Sequence, residues 1–129
     1  MKGRYSKAVE TAVKLIWSSF DRESIRKGYA MLVQAAQQGD ADALAFIARC
    51  FMGEEYVWPQ AGFKADDANA SKLMQKSAIK GSATGVLCAA RSGNLTPSVE
   101  HEMPFASFKE AFEEILGQAE DGDAFCCYM

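Results

Sequence analysis

With 129 residues, 49% of them hydrophobic, 24% charged and only three prolines, the chain holds enough apolar material for one compact core. Its 14 Lys and Arg against 17 Asp and Glu leave a net charge of −3, which argues against a nucleic-acid binder, because phosphate affinity needs a clustered cationic excess. No apolar run is long enough for a bilayer, and Lys7, Glu10 and Lys14 interrupt the stretch after Met1-Lys2-Gly3-Arg4 where a secretion signal would be uniformly apolar.

From Ser6 to Phe20, Val9, Ala12, Val13, Ile16, Trp17 and Phe20 recur every three or four residues, which predicts an amphipathic helix. Asp21 is placed to cap a second helix running to about Gln38, with Ile25, Tyr29, Leu32 and Ala36 inward. Gly39 should end it in the left-handed conformation. Asp40 then caps a helix from Ala41 to about Met52, whose inner stripe reads Ala43, Ile47, Ala48 and Phe51, leaving Asp42, Phe46 and Arg49 on other faces. Residues 53–65, with Tyr56, Trp58, Pro59 and Gly62, read as a loop whose aromatics fold back onto the helices. A helix from Asp66 or Asp67 to Gly81 follows, then a short one from Ala83 to about Arg91. Gly93, Pro97 and Pro104 mark residues 92–106 as loop. Ser107 and Glu110 form a capping box for a helix reaching Asp121. After Gly122, the run Asp123 to Met129 starts a further helix, which reads as the opening of another unit in a longer array.

Ala35-Ala36-Gln37-Gln38-Gly39-Asp40-Ala41 returns in weaker form around Gly81 and Gly122, 42 and then 41 residues apart. Such a period predicts units that stack because none can bury its own apolar face. The expected fold is all-α, a right-handed solenoid of about three stacked antiparallel helical hairpins, with units at about 4–39, 40–81 and 82–122 and a truncated one at 123–129.

Aligned on the glycines, the second helices agree in columns: Gly28, Ala70 and Ala111; Leu32, Met74 and Ile115; Ala36, Ala78 and Ala119. Together with Gly39-Asp40-Ala41-Asp42-Ala43, Ile47-Ala48, Phe51, Gly62-Phe63, Asp66 and Asn69-Ala70, these residues make the chain similar to the Sel1-like repeat family, relatives of the tetratricopeptide repeats with a longer connection inside each hairpin. The following unit departs from that pattern, having Ala89-Ala90 where Leu-Gly is usual and no Gly-Val element. The resemblance implies a scaffold or adaptor for protein–protein interaction, often bacterial, with a protein or peptide ligand on the concave wall formed by the first helix of each hairpin.

In register with the glycines, Asp42 pairs with Thr84, Phe46 with Cys88 and Arg49 with Arg91, and these six are the candidate partner-binding residues. Two arginines one repeat apart either grip carboxylates of an extended acidic ligand or are ordinary solvated charges at helix ends. A homodimer through the C-terminal helix, with Phe125, Tyr128 and Met129 buried against a second copy, is the alternative. A thiol enzyme would need Cys88 or Cys126 with His101 as base, and nothing orients such a pair. Cys50, Cys88, Cys126 and Cys127 are sparse and set in apolar helical patterns, as expected of reduced thiols in a cytoplasmic protein. His101 lacks a second imidazole or thiolate at ligand spacing, so no metal and no cofactor is expected.

Overall fold

The computed structural model describes residues 5–18, 21–52 and 66–120. Among them the chain is all-helical, with no strand: α1 (Lys7–Trp17), α2 (Arg22–Gln37), α3 (Ala41–Cys50), α4 (Asp67–Ile79), α5 (Ala83–Arg91), α6 (Pro97–Glu102) and α7 (Phe108–Glu120). The aromatic loop at 53–65 and the last helix expected from Asp123 lie outside the described residues, as do Cys126 and Cys127.

Each helix starts where its sequence supplies an acceptor for the unpaired amides of the first turn. Ser6 accepts from the Val9 amide, Asp21 from Ser24, Asp40 from Asp42 and Ala43, Asp66 from Asn69, and Ser82 from Gly85. Replacing such a cap with Ala typically costs about 1 kcal/mol. At Ser107 the hydroxyl accepts from the Glu110 amide at 3.3 Å, the forward half of the expected capping box.

Helices α2 and α4 end in the same way, and α5 repeats the turn at Gly93, with φ of +77° and the Asn94 amide donating to the Ala89 carbonyl. Gly39 and Gly81 have φ of +95° and +105°, the left-handed region in which a Cβ would clash with the backbone. That turn lets the Asp40 amide donate to the Ala35 carbonyl and the Gly39 amide to Ala36, with Ser82 to Ser77 and Gly81 to Ala78 repeating the pattern. These paired bonds satisfy carbonyls that the helix end would leave unpaired. Because the residues after Gly39 and Gly81 are themselves N-caps, one short turn there closes a helix and opens the next.

Residues 92–106 differ from the expected loop. Thr96 accepts from the Val99 amide and Pro97 sits in the first turn of α6, where its missing N–H costs nothing. Val99 and Met103 are buried, so this short helix contributes to the core.

Packing passes from neighbour to neighbour. Helix α1 lies on α2, α2 on α3, α3 on α4 and α4 on α5, while α3 also touches α1 and α5. Helix α6 packs on α4, and α7 packs on α5. The main core runs from Tyr5, Val9 and Ile16 through Ile25, Leu32 and Phe46 to Val86, Val99 and Ile115. A second cluster joins Ala48, Ala70, Met74, Cys88 and Ala89. Two of the glycine-aligned columns keep one environment, with Gly28, Ala70 and Ala111 buried and Leu32, Met74 and Ile115 buried, whereas in the third Ala36 is half-buried and Ala78 buried. Small residues in the first column allow close approach: a Cβ on Gly28 would lie 2.8 Å from the Ala12 carbonyl oxygen of α1.

Candidate functional site

Helices α3 and α5 carry the six candidate residues, and their N-termini are tied to the preceding helices by side-chain hydrogen bonds. The Ser6 hydroxyl donates to Asp40 at 2.7 Å and the Ser82 hydroxyl to Asp42 at 2.5 Å. Ser77, fully buried in α4, donates to the Ala41 carbonyl at 2.6 Å. Asp42 therefore belongs to the junction of α3 with α5. It is half-buried and bonded there, whereas the sequence pattern had placed it on an open wall.

Phe46 requires a larger correction. It is 0% exposed, with the Tyr5 ring edge-on at 5.1 Å and the Trp17 indole tilted at 5.8 Å. Helix α3 is covered by α1, α2, α4 and α5, so nearly its whole circumference is buried, from Ala43 through Ala48 together with Cys50. A one-stripe reading fails for a helix enclosed on all sides.

Thr84 and Cys88 are buried too, so neither can line an exposed wall. Thr84 Oγ1 lies 2.7 Å from the Tyr5 hydroxyl, a buried hydrogen bond across 79 residues of sequence. Cys88 packs among Ala48, Ala70, Met74 and Ala89. Phe46 and Cys88 stand seven residues after Gly39 and Gly81, and both are buried, Phe46 against Tyr5 and Trp17 and Cys88 against α3 and α4. Tyr5 carries no local sequence signal for its part in this site, since both of its partners are remote in the chain.

Both arginines bear electrostatically on Cys88. Arg49, half-buried in the last turn of α3, directs Nη1 to within 3.9 Å of Cys88 Sγ, and Arg91, exposed in the last turn of α5, also acts on that thiol. Two cations ought to favour a thiolate, yet burial outweighs them and pushes the Cys88 thiol up from its ordinary value. Cys50 is pushed up to about 12 for the same reason, with Arg49 opposing weakly. Such thiols stay protonated and unreactive near neutral pH. We therefore expect iodoacetamide to label neither Cys50 nor Cys88 in the native chain, with both modified once it is denatured, as read by peptide mapping. The sign for stability follows, because an unfolded Cys50 ionises near 9.0 and the folded one near 12. Stability should be unaffected below 9.0 and fall as pH rises from there toward about 12.

His101 is exposed in α6, and among the described residues no three His, Cys, Asp or Glu side chains gather as a metal site would require. Nor is any helix among these residues long and apolar enough to cross a membrane. What the arrangement offers chemically is a buried junction between α3 and α5, bordered at their C-terminal ends by two guanidinium groups. Comparison with protein-family models, with curated proteins and with solved structures returned no match.

Proposed function

We propose that this chain is a Sel1-like solenoid of three stacked hairpins, α1–α2, α3–α4 and α5–α7 with α6 inserted, serving as a protein-interaction scaffold in the cytoplasm. The observation that carries this reading is the repeated joint. Gly39 and Gly81 share a left-handed turn 42 residues apart, and each is followed by a cap linked by hydrogen bond to another unit, Asp40 to Ser6 and Ser82 to Asp42. A structure built by repeating one joint grows by adding surface rather than by enclosing a cavity, and such surfaces bind extended partners.

The partner best suited to the α3–α5 edge is an acidic, extended segment of another protein, bridging Arg49 and Arg91. Arginine is suited to that role because its planar fork pairs bidentately with carboxylates. A labelled oligoglutamate peptide, titrated by fluorescence anisotropy at low salt, provides the test. Binding to the wild-type chain should weaken about tenfold in Arg91→Glu, the scale of one lost charge-assisted contact. Equal affinity for the two proteins, or none for either, would remove the arginine edge as the ligand site. Arg91 is exposed, so the substitution leaves the core intact.

A further inference from the structure

Tyr5 belongs to no helix, yet it is buried against two of them. It stands one residue before the Ser6 cap of α1, with its ring edge-on to Phe46 of α3 at 5.1 Å and its hydroxyl 2.7 Å from Thr84 Oγ1 of α5. Phe46 and Thr84 are residues that the repeat register assigns to the ligand wall, and both are fully buried. The side chain that spans them is Tyr5. At this point the wall is therefore closed by a group that comes from outside the helices.

Such a closure can open without unwinding α1. The start of that helix is held by Ser6, whose hydroxyl accepts from the Val9 amide and donates to Asp40, and whose carbonyl accepts from the Glu10 amide. Turning the Tyr5 side chain outward gives up the Phe46 contact and the Thr84 bond and leaves these in place. The vacated position would ask for two things, an aromatic ring to cover Phe46 and a hydroxyl to pair with the buried Thr84 hydroxyl. A tyrosine from another chain supplies both, whereas a phenylalanine supplies the first alone. Along α5, Thr84, Cys88 and Arg91 follow at intervals of four and three, which sets them on one face, as Phe46 and Arg49 are on α3. Seven helical residues advance about 10 Å, the reach of about three residues of extended chain.

We propose that Tyr5 is a tethered ligand, filling in cis a tyrosine site made by Phe46 and Thr84. An extended segment of another protein, carrying a tyrosine about three residues from a Glu or Asp, takes its place while the carboxylate reaches Arg91. This site rests on the arginine edge proposed above, of which it is the opposite end. Competition within the chain then sets the affinity. An external tyrosine meets an open site only in the fraction of molecules whose Tyr5 is turned out, and its apparent affinity falls by that fraction.

Fluorescence anisotropy tests it with a labelled peptide that has one tyrosine three residues before a glutamate and glycine elsewhere, beside a twin with phenylalanine in the tyrosine's place. Wild type should bind the tyrosine peptide weakly, and Tyr5→Ala should bind it at least about tenfold tighter, as expected if Tyr5 is turned out in under about a tenth of molecules. Tyr5→Ala should also prefer that peptide to its twin by about fivefold, the scale of one hydrogen bond, and adding Thr84→Val should abolish the preference. Circular dichroism checks that the helices persist. Should Tyr5→Ala fail to fold, Tyr5→Phe keeps the ring, gives up the hydroxyl bond, and should bind about fivefold tighter than wild type. Equal affinity in wild type and the Tyr5 variants overturns the proposal, as does a gain that the phenylalanine twin shows in full. A wild-type chain that never binds overturns it too, because the site would then be a cavity made by the substitution. Arg91→Glu in the Tyr5→Ala background should cost about tenfold. A gain from Tyr5→Ala that Arg91→Glu leaves untouched overturns the arginine edge, whereas a loss from Arg91→Glu in a chain that Tyr5→Ala has not improved overturns the tethered ligand alone.

Discussion

Phe46→Ala should destabilise the chain by about 3–5 kcal/mol, the usual cost of emptying a fully buried aromatic site. For a chain of this size that corresponds to a fall in Tm of about 10 °C or more, measurable by circular dichroism or calorimetry. The magnitude follows from what surrounds the ring. Tyr5 stands edge-on to it, Trp17 tilts against it, and these come from before and within α1 while Phe46 belongs to α3. Removing it takes away the aromatic contact between α1 and α3, leaving α1 packed on α2 alone. Tyr5 is then left with its hydroxyl bond to Thr84 but with no surface under its ring. Proteolysis should accordingly begin in α1. A change in Tm of only a degree or two would mean that the Tyr5 and Trp17 rings collapse into the space and that the site is far more plastic than its packing indicates.

The same residue shows how far the sequence could be read. Helix boundaries were legible where an acceptor side chain precedes a helical run, as at Asp21, Asp40 and Ser107, because capping is a local contest for one backbone amide. The left-handed glycines were legible from their spacing and from the caps that follow them. Phe46 was misplaced because periodicity assumes one wet face. In α3 the run Ala43-Leu44-Ala45-Phe46-Ile47-Ala48 has no charged residue, and such a run marks a helix enclosed by neighbours. Thr96-Pro97 carried the start of α6 in plain view, as a hydroxyl cap followed by proline at the first helical position, but Gly93 and Pro104 on either side gave the segment the composition of a loop. The link from Tyr5 to Thr84 had no local trace at all, since a hydrogen bond across 79 residues follows from the tertiary packing and cannot precede it.

Gly85→Ala should destabilise by about 1–3 kcal/mol, although alanine is the better helix former by about 1 kcal/mol. The opposing effect is steric. A Cβ at Gly85 would overlap the Ser77 hydroxyl, lie 2.7 Å from Ser77 Cβ and sit 3.0 Å from the Ala78 amide nitrogen of α4. Ser77 has no room to yield, because it is fully buried and its hydroxyl donates to the Ala41 carbonyl of α3. Displacing it breaks the bond that ties α4 to α3, and separating α4 from α5 instead opens the cluster around Met74 and Cys88. The double variant Ser77→Gly/Gly85→Ala decides whether space is the cause. Moving the small residue from one helix to the other returns the volume while still deleting the Ala41 bond, so the two changes together should cost at least 0.5 kcal/mol less than the sum of their separate effects. Strict additivity in that cycle would mean that Ser77 is not the source of the cost and would assign it to the α4 backbone at Ala78 instead. Gly28→Ala provides the contrast: its nearest neighbours include the Ala12 carbonyl oxygen at 2.8 Å, a backbone atom that no side-chain exchange removes. Trimming Ile16, whose Cγ1 lies equally close, should therefore leave most of the Gly28→Ala penalty in place, while the Ser77 exchange relieves the penalty at Gly85.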